Sequence, residues 1–209
     1  MHFGFLIFPN VEELDVIGPW EIIGTWSKFF HGPQRCLVVA ESNQPVICAN
    51  GLSINPHATF GDCPPLDYLL VPGGQGSRVQ VDNPVLIDFI QRQAAGCTAV
   101  LSVCTGSFLL QRAGLLKGKN ATTHWGELAK LRTLPDLEVV EERIVRDGDV
   151  WMAAGVSAGI DLALAFIASE AGAETAGQVQ FFAEYYPSST RHGHAHLGEQ
   201  APRYLKRER

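Results

Sequence analysis

Short apolar runs alternate with amphipathic stretches along most of the 209-residue chain. Residues 3–8 predict a first strand, ended by Pro9 and Asn10. Residues 11–18 lead into a helix that Pro19 is expected to open at its first position, with apolar residues at helical spacing through Trp26. Residues 35–40 read as a second strand. Two short apolar segments, 46–48 and 52–54, flank Ala49-Asn50-Gly51 and predict a small hairpin, because Asn-Gly is a strong turn signal. Residues 66–71 form a central strand that ends in Pro72-Gly73-Gly74-Gln75-Gly76, and Asn83-Pro84 opens a helix to about Ala95. Residues 98–103 are again apolar and β-branched. They run through Cys104 and Thr105 into a helical segment at 107–113 that Gly114 closes. A short strand at 121–124 and a helix at 125–132 follow, then a hairpin around Asp147-Gly148 and two amphipathic helices at 158–171 and 174–185.

Strands alternating with helices, the strands themselves continuously apolar, predict an α/β doubly wound sandwich with a mostly parallel central sheet. No linker or internal repeat interrupts residues 1–186, so these are assigned to a single domain. Residues 187–209 are polar and are expected to form a flexible, loosely attached tail. The net charge of −6 and pI near 5.6 give no electrostatic case for nucleic acid or an anionic membrane. No apolar run approaches the ~18 residues of a membrane span. The first residues lack the basic start and small-residue cleavage site of a signal peptide. Five cysteines without CxxC spacing indicate neither a disulfide framework nor a metal site, and a reducing cytoplasm is the simplest setting.

In such a sheet ligands bind beyond the carboxyl ends of the strands. Asp15, Gly73-Gly74 and Cys104 all fall at such ends. Cys104 stands on a strand–turn–helix, where an α/β-hydrolase sets its serine, and the helix N-terminus is expected to favour its thiolate. The competing reading is a small buried hydrophobe. Asp15 lies among Leu14, Val16 and Ile17, so desolvation is expected to raise its pKa and let it carry a proton; a helix cap is equally compatible with the sequence. Gly73 and Gly74 allow backbone N–H groups to approach a polar atom, although glycines after strands often only make turns. Thr105 offers a hydroxyl and an N–H next to the nucleophile, or a cap. His124 is a candidate base, with local hydrogen bonding the commoner role. The alternating His192, His194 and His196 in the tail lack a closed geometry for metal.

The segments Ser102-Val103-Cys104-Thr105-Gly106-Ser107 and Ala121-Thr122-Thr123-His124-Trp125 resemble the ThiJ/PfpI branch of the class I glutamine amidotransferase-like superfamily, and within it the isonitrile hydratases. Supporting stretches are Leu14-Asp15-Val16-Ile17-Gly18-Pro19, Val71-Pro72-Gly73-Gly74, Arg143-Ile144-Val145-Arg146-Asp147-Gly148 and Gly155-Val156-Ser157-Ala158-Gly159-Ile160-Asp161, and the likeness spans roughly residues 3–186. The resemblance implies a flavodoxin-like sandwich, a homodimer, no cofactor, and a cysteine on a nucleophile elbow. By motif, Cys104 is then the nucleophile and Asp15 its carboxylic partner. Thr105, Gly73, Gly74 and His124 line the site, and a small-molecule isonitrile is hydrated to an N-substituted formamide. Thr105 replaces the histidine of protease-like members, which argues against peptidase activity. Chemistry on small carbonyls would be expected to prefer Glu at position 15. The alternative from a different class is a stand-alone redox or ligand-sensing module, related to the sensor domains of AraC-type transcription regulators. No helix-turn-helix segment accompanies the domain in this sequence, so direct DNA contact is not expected.

Overall fold

The computed structural model describes residues 1–188 and 190–206. Seven strands make one sheet: β1 (His2–Leu6), β2 (Arg35–Ala40), β3 (Ala58–Thr59), β4 (Tyr68–Val71), β5 (Ala99–Val103), β6 (Ile144–Asp147) and β7 (Val150–Ala153). Their order is β6-β7-β5-β4-β1-β2-β3, parallel throughout except for the β6–β7 hairpin. Five main helices cover it: α1 (Glu13–Phe29), α2 (Pro84–Ala94), α3 (Gly106–Arg112), α4 (Ala158–Ala171) and α5 (Ala173–Phe182). Helices α1, α4 and α5 pack together on one face, α2 and α3 on the other, as expected of a doubly wound single domain.

Local chemistry explains most boundaries. Asn83 caps α2, its side chain accepting from the Val85 and Leu86 amides at 3.0 and 3.4 Å, with Pro84 in the first turn. The β6–β7 turn uses Asp147-Gly148, with Gly148 at φ +65°. Strands β4 and β5 are buried along their whole length, the mark of a sheet covered on both sides. Phe166 of α4 collects Phe3, Trp26, Tyr68 and Trp151 in edge-on contacts, with ring centroids 5.1 to 6.4 Å apart.

Two boundaries differ from the sequence expectation. Helix α1 starts at Glu13, so Pro19 stands inside it and not at its first position. Proline has no amide hydrogen, so the Asp15 carbonyl, four residues earlier, loses its helical partner there. The start is set instead by a tertiary bond, Glu12 N–H to Gly73 O at 3.0 Å. Strand structure near 121–124 lies earlier, at Lys119–Ala121, and His124 is the residue before a 3-10 turn at Trp125–Glu127. The tail segment holds a 3-10 turn at Ala195–Leu197 and a helical turn at Arg203–Lys206, whose Tyr204 is half-buried against the core.

Candidate active site

Strands β5, β4 and β1 are neighbours at the middle of the sheet, so the residues after their carboxyl ends meet. Cys104 follows β5 with φ +56°, a left-handed conformation that throws its side chain out of the strand–helix path. The turn is held from all sides. Its N–H donates to Ala154 O at 2.7 Å, and its carbonyl accepts from Thr123 Oγ1 at 3.0 Å and Ser107 Oγ at 3.2 Å. Glycine is required at 106, because a Cβ there would lie 2.1 Å from Val71 O. Val156, facing the cysteine, is itself at φ +44°, and its N–H favours the ionised sulfur.

Asp15 is fully buried on the first turn of α1. Its Oδ2 accepts from Gly73 N–H at 2.9 Å, while Oδ1 has no hydrogen-bond partner. Burial is the main reason its pKa is pushed up to about 8, with Gly73 N–H opposing, Glu12 adding and the nearby Cys104 thiol opposing. Burial thus favours the protonated form of this carboxyl. The Asp15 carboxyl lies beside the Cys104 sulfur with its Oδ1 uncommitted.

The thiol departs from expectation. Helix α3 begins only at Gly106, and burial outweighs its field: Cys104 is 7% exposed and its pKa is pushed up to about 12, with Asp15 adding to the rise and Thr105 and Val156 opposing it. Burial thus favours the proton-bearing form of both groups.

The glycine turn also differs from an open oxyanion nest. Gly73 N–H is taken by Asp15, and Gly74 N–H by Thr105 Oγ1 at 3.0 Å. Both glycines act as a close-packed bracket that fixes the two site side chains. A Cβ on Gly73 would lie 2.4 Å from Thr105 N and 3.0 Å from Cys104 Cβ; one on Gly74, which has φ +111°, would lie 2.2 Å from Glu12 N. Gly73→Ala is accordingly expected to destabilise by about 1–3 kcal/mol and to displace Thr105. Urea unfolding and Cys104 reactivity measured on the same sample check this, and unchanged values for both would show that the bracket yields.

Thr105 Oγ1 accepts from Gly74 N–H, donates to Gly74 O at 3.3 Å, and lies 2.8 Å from Ser77 Oγ. Its backbone N–H favours the Cys104 thiolate. His124 is half-buried, its Nδ1 accepting from Gly126 N–H at 3.2 Å, and burial pushes its pKa down. Its ring packs on Gly155, where a Cβ would meet Cδ2 at 2.3 Å. Its hydrogen-bond partner is local, and burial favours the neutral imidazole.

Sequence reasoning did not single out Ser77, Thr123 or Val156. The Thr122-Thr123 pair before His124, both fully buried, was the available signal.

A model of the DJ-1/PfpI family matches residues 2–169. The chain is 41% identical over 188 residues to a Pseudomonas putida protein named isonitrile hydratase, which covers 90% of this chain and 80% of that one. It is 30% identical over 178 residues to the HTH-type transcriptional regulator CdhR of Pseudomonas aeruginosa, with 85% of this chain covered but only 53% of the regulator. The crystal structure of a ThiJ/PfpI family protein from Pseudomonas syringae superimposes with a TM-score of 0.86 at 32% identity, covering 96% of this chain and 81% of that one.

Proposed function

The chain belongs to the DJ-1/PfpI family, and we propose that within it this protein is a cysteine-dependent lyase that hydrates an isonitrile, R–N≡C, to an N-substituted formamide. The observation that carries the reading is the fully buried Asp15 carboxyl, its pKa raised by that burial, beside the Cys104 thiol. An isonitrile carbon holds a lone pair and must gain a proton before it becomes a good electrophile. Asp15 donates that proton to the carbon while Cys104 Sγ forms the S–C bond, and the thiol proton replaces the one Asp15 gave. The product of this step is a thioimidate, R–N=CH–S. Water then adds across C=N, its oxygen to carbon and a proton to nitrogen. The resulting tetrahedral centre expels sulfur, the thiol is restored through Asp15, and R–NH–CHO leaves. No standing thiolate is needed, which suits a sulfur whose pKa lies near 12.

Cys104 acts in this scheme from a nucleophile elbow. Thr105 N–H steadies the sulfur as charge passes through it, Gly73 and Gly74 brace the pair, and neutral His124 lines the substrate side. Purified protein incubated with cyclohexyl isocyanide in ¹⁸O-water is expected to yield N-cyclohexylformamide labelled at its carbonyl oxygen. Absence of formamide with both alkyl and aryl isonitriles would overturn the reading.

The similarity to CdhR favours one other reading, a sensor module in which Cys104 is oxidised. A buried thiol that stays protonated at neutral pH is a slow reactant towards peroxide, so the lyase reading is preferred.

The working form proposed is a cytoplasmic homodimer. Phe181 and Phe182 of α5 are 73% and 52% exposed, and with Phe29, whose ring centroid lies 4.6 Å from that of Phe182, they leave an apolar face for a second copy to cover. Light scattering is expected to give twice the 22.8 kDa chain mass; a monomer at micromolar concentration would remove this part.

A further inference from the structure

A second cleft opens beyond the carboxyl ends of β1 and β2, the side of a parallel sheet where ligands bind. Its volume is about 290 Å³, at the lower end of the range for small-molecule pockets. Ile7 and Phe8 continue β1 into it, with Ile7 N–H donating to Val39 O at 2.8 Å, and Phe60 closes the end of β2 by donating its N–H to Ala40 O at 2.9 Å. Phe60 is locked in turn by stacking on Phe89, the ring centroids 4.3 Å apart. Val46 comes from the small hairpin Val46–Ile47 and Ser53–Ile54, which is tied to the loop after β1 by Asn10 N–H to Ile47 O at 2.9 Å. Leu86 of α2 completes the apolar wall. Glu41 is the one charged side chain that lines the cleft. Its Oε2 accepts from Asn83 Nδ2 at 2.9 Å, and the same amide donates to Gln80 Oε1 at 2.8 Å, so the cap of α2 fixes the exposed carboxylate in place. Among the described residues no cationic group pairs with Glu41. The cleft is distinct from the nucleophile turn, since neither Cys104 nor Asp15 lines it. The glycine turn separates the two: Gly73 packs on Cys104 and Thr105, whereas Gly76 N–H donates to Asn10 O at 2.9 Å in the loop after β1.

We propose that this cleft binds a small primary alkylammonium ion, its hydrocarbon body on Phe8, Val46, Phe60 and Leu86 and its charge at Glu41. The apolar wall favours a hydrocarbon body, and a carboxylate without a cation of its own favours positive charge over negative. The Ser42 hydroxyl, which also lines the cleft, adds a second acceptor for the three N–H donors of a primary ammonium. The site uses no group of the Cys104 machinery and stands independently of the isonitrile reading.

Titration of n-hexylammonium chloride into the ¹⁵N-labelled full chain at pH 7, followed by amide chemical shifts, tests the site. Saturating shifts are expected at Phe8, Ala40, Val46 and Phe60. Three comparisons then separate charge from hydrocarbon. 1-Hexanol, with the same body and no charge, should bind at least threefold more weakly, and so should methylammonium, with the charge and almost no body. Glu41→Gln keeps an acceptor for Asn83 but removes the charge, and should weaken n-hexylammonium at least threefold while leaving 1-hexanol unchanged. No saturation up to about 10 mM, an affinity already weaker than ordinary ligand binding, overturns the proposal. Saturating shifts confined to other parts of the molecule, or a difference below threefold in any of the three comparisons, overturn it as well. Should circular dichroism show that E41Q has lost its fold, the 1-hexanol and methylammonium comparisons on the unaltered protein decide by the same threshold.

Discussion

Cys104→Ser and Cys104→Ala are expected to lower formamide production from cyclohexyl isocyanide by on the order of 10,000-fold or more, which is the scale seen when a covalent nucleophile is removed. Serine keeps the shape and tolerates the turn, but its hydroxyl is a far poorer partner for a carbon made electrophilic only at the moment of proton transfer. Alanine removes the attacking atom altogether. Neither change should unfold the protein, because the turn is held by main-chain bonds to Ala154 and by the Thr123 and Ser107 hydroxyls, none of which involves the sulfur. Thermal midpoints within a few degrees of the unaltered protein, together with loss of product by gas chromatography, are the expected pair of results. Retained turnover in either variant would take the nucleophile role from Cys104.

Asp15→Asn should lower kcat by about 100- to 10,000-fold, the usual range for a general acid, and should also change how stability depends on pH. The folded-state pKa of Asp15 is raised to about 8 from 3.8. Below pH 4 both folded and unfolded chains hold the proton, and this group does not disfavour folding. Between about 4 and 8 the unfolded chain releases it while the folded one keeps it, so stability falls as pH rises through that window and levels off above it. Asparagine has no proton to lose, and the slope contributed by this residue should vanish. Urea midpoints at pH 5 and pH 8 are therefore expected to converge in D15N relative to the unaltered protein. Turnover carries the same signature: it should decline as pH rises past 8, when Asp15 loses its proton and its charge pushes the thiol further from ionisation. A D15N variant with an undiminished rate would remove Asp15 as the proton donor.

Much of this was legible in the residues. The apolar run before Cys104, with Thr105-Gly106 after it, announces a strand–turn–helix, and the apolar company of Asp15 leaves a carboxyl with a raised pKa and a helix cap equally open, of which burial favours the first. Asn83-Pro84 and Asp147-Gly148 marked a cap and a turn that the structure contains. Features decided by distant contacts were not legible. The first helix begins at Glu13 because residue 12 bonds to Gly73, a partner no local pattern names. The nearby helix, a local feature, points to an ionised Cys104, whereas the controlling factor is burial, which the local pattern does not show. The amides of Gly73 and Gly74 looked free for a ligand until Asp15 and Thr105 were found to occupy them.

The side-by-side arrangement of the β5, β4 and β1 strands has a consequence for how the protein comes alive. Acid and sulfur belong to segments that only parallel, long-range pairing can bring to one place, and such pairing is slow because distant parts of the chain must be ordered first. During refolding, hydration capacity should therefore emerge with completion of the sheet and lag behind the early gain in helical signal. A polypeptide with native helix content but an unfinished centre would be chemically silent.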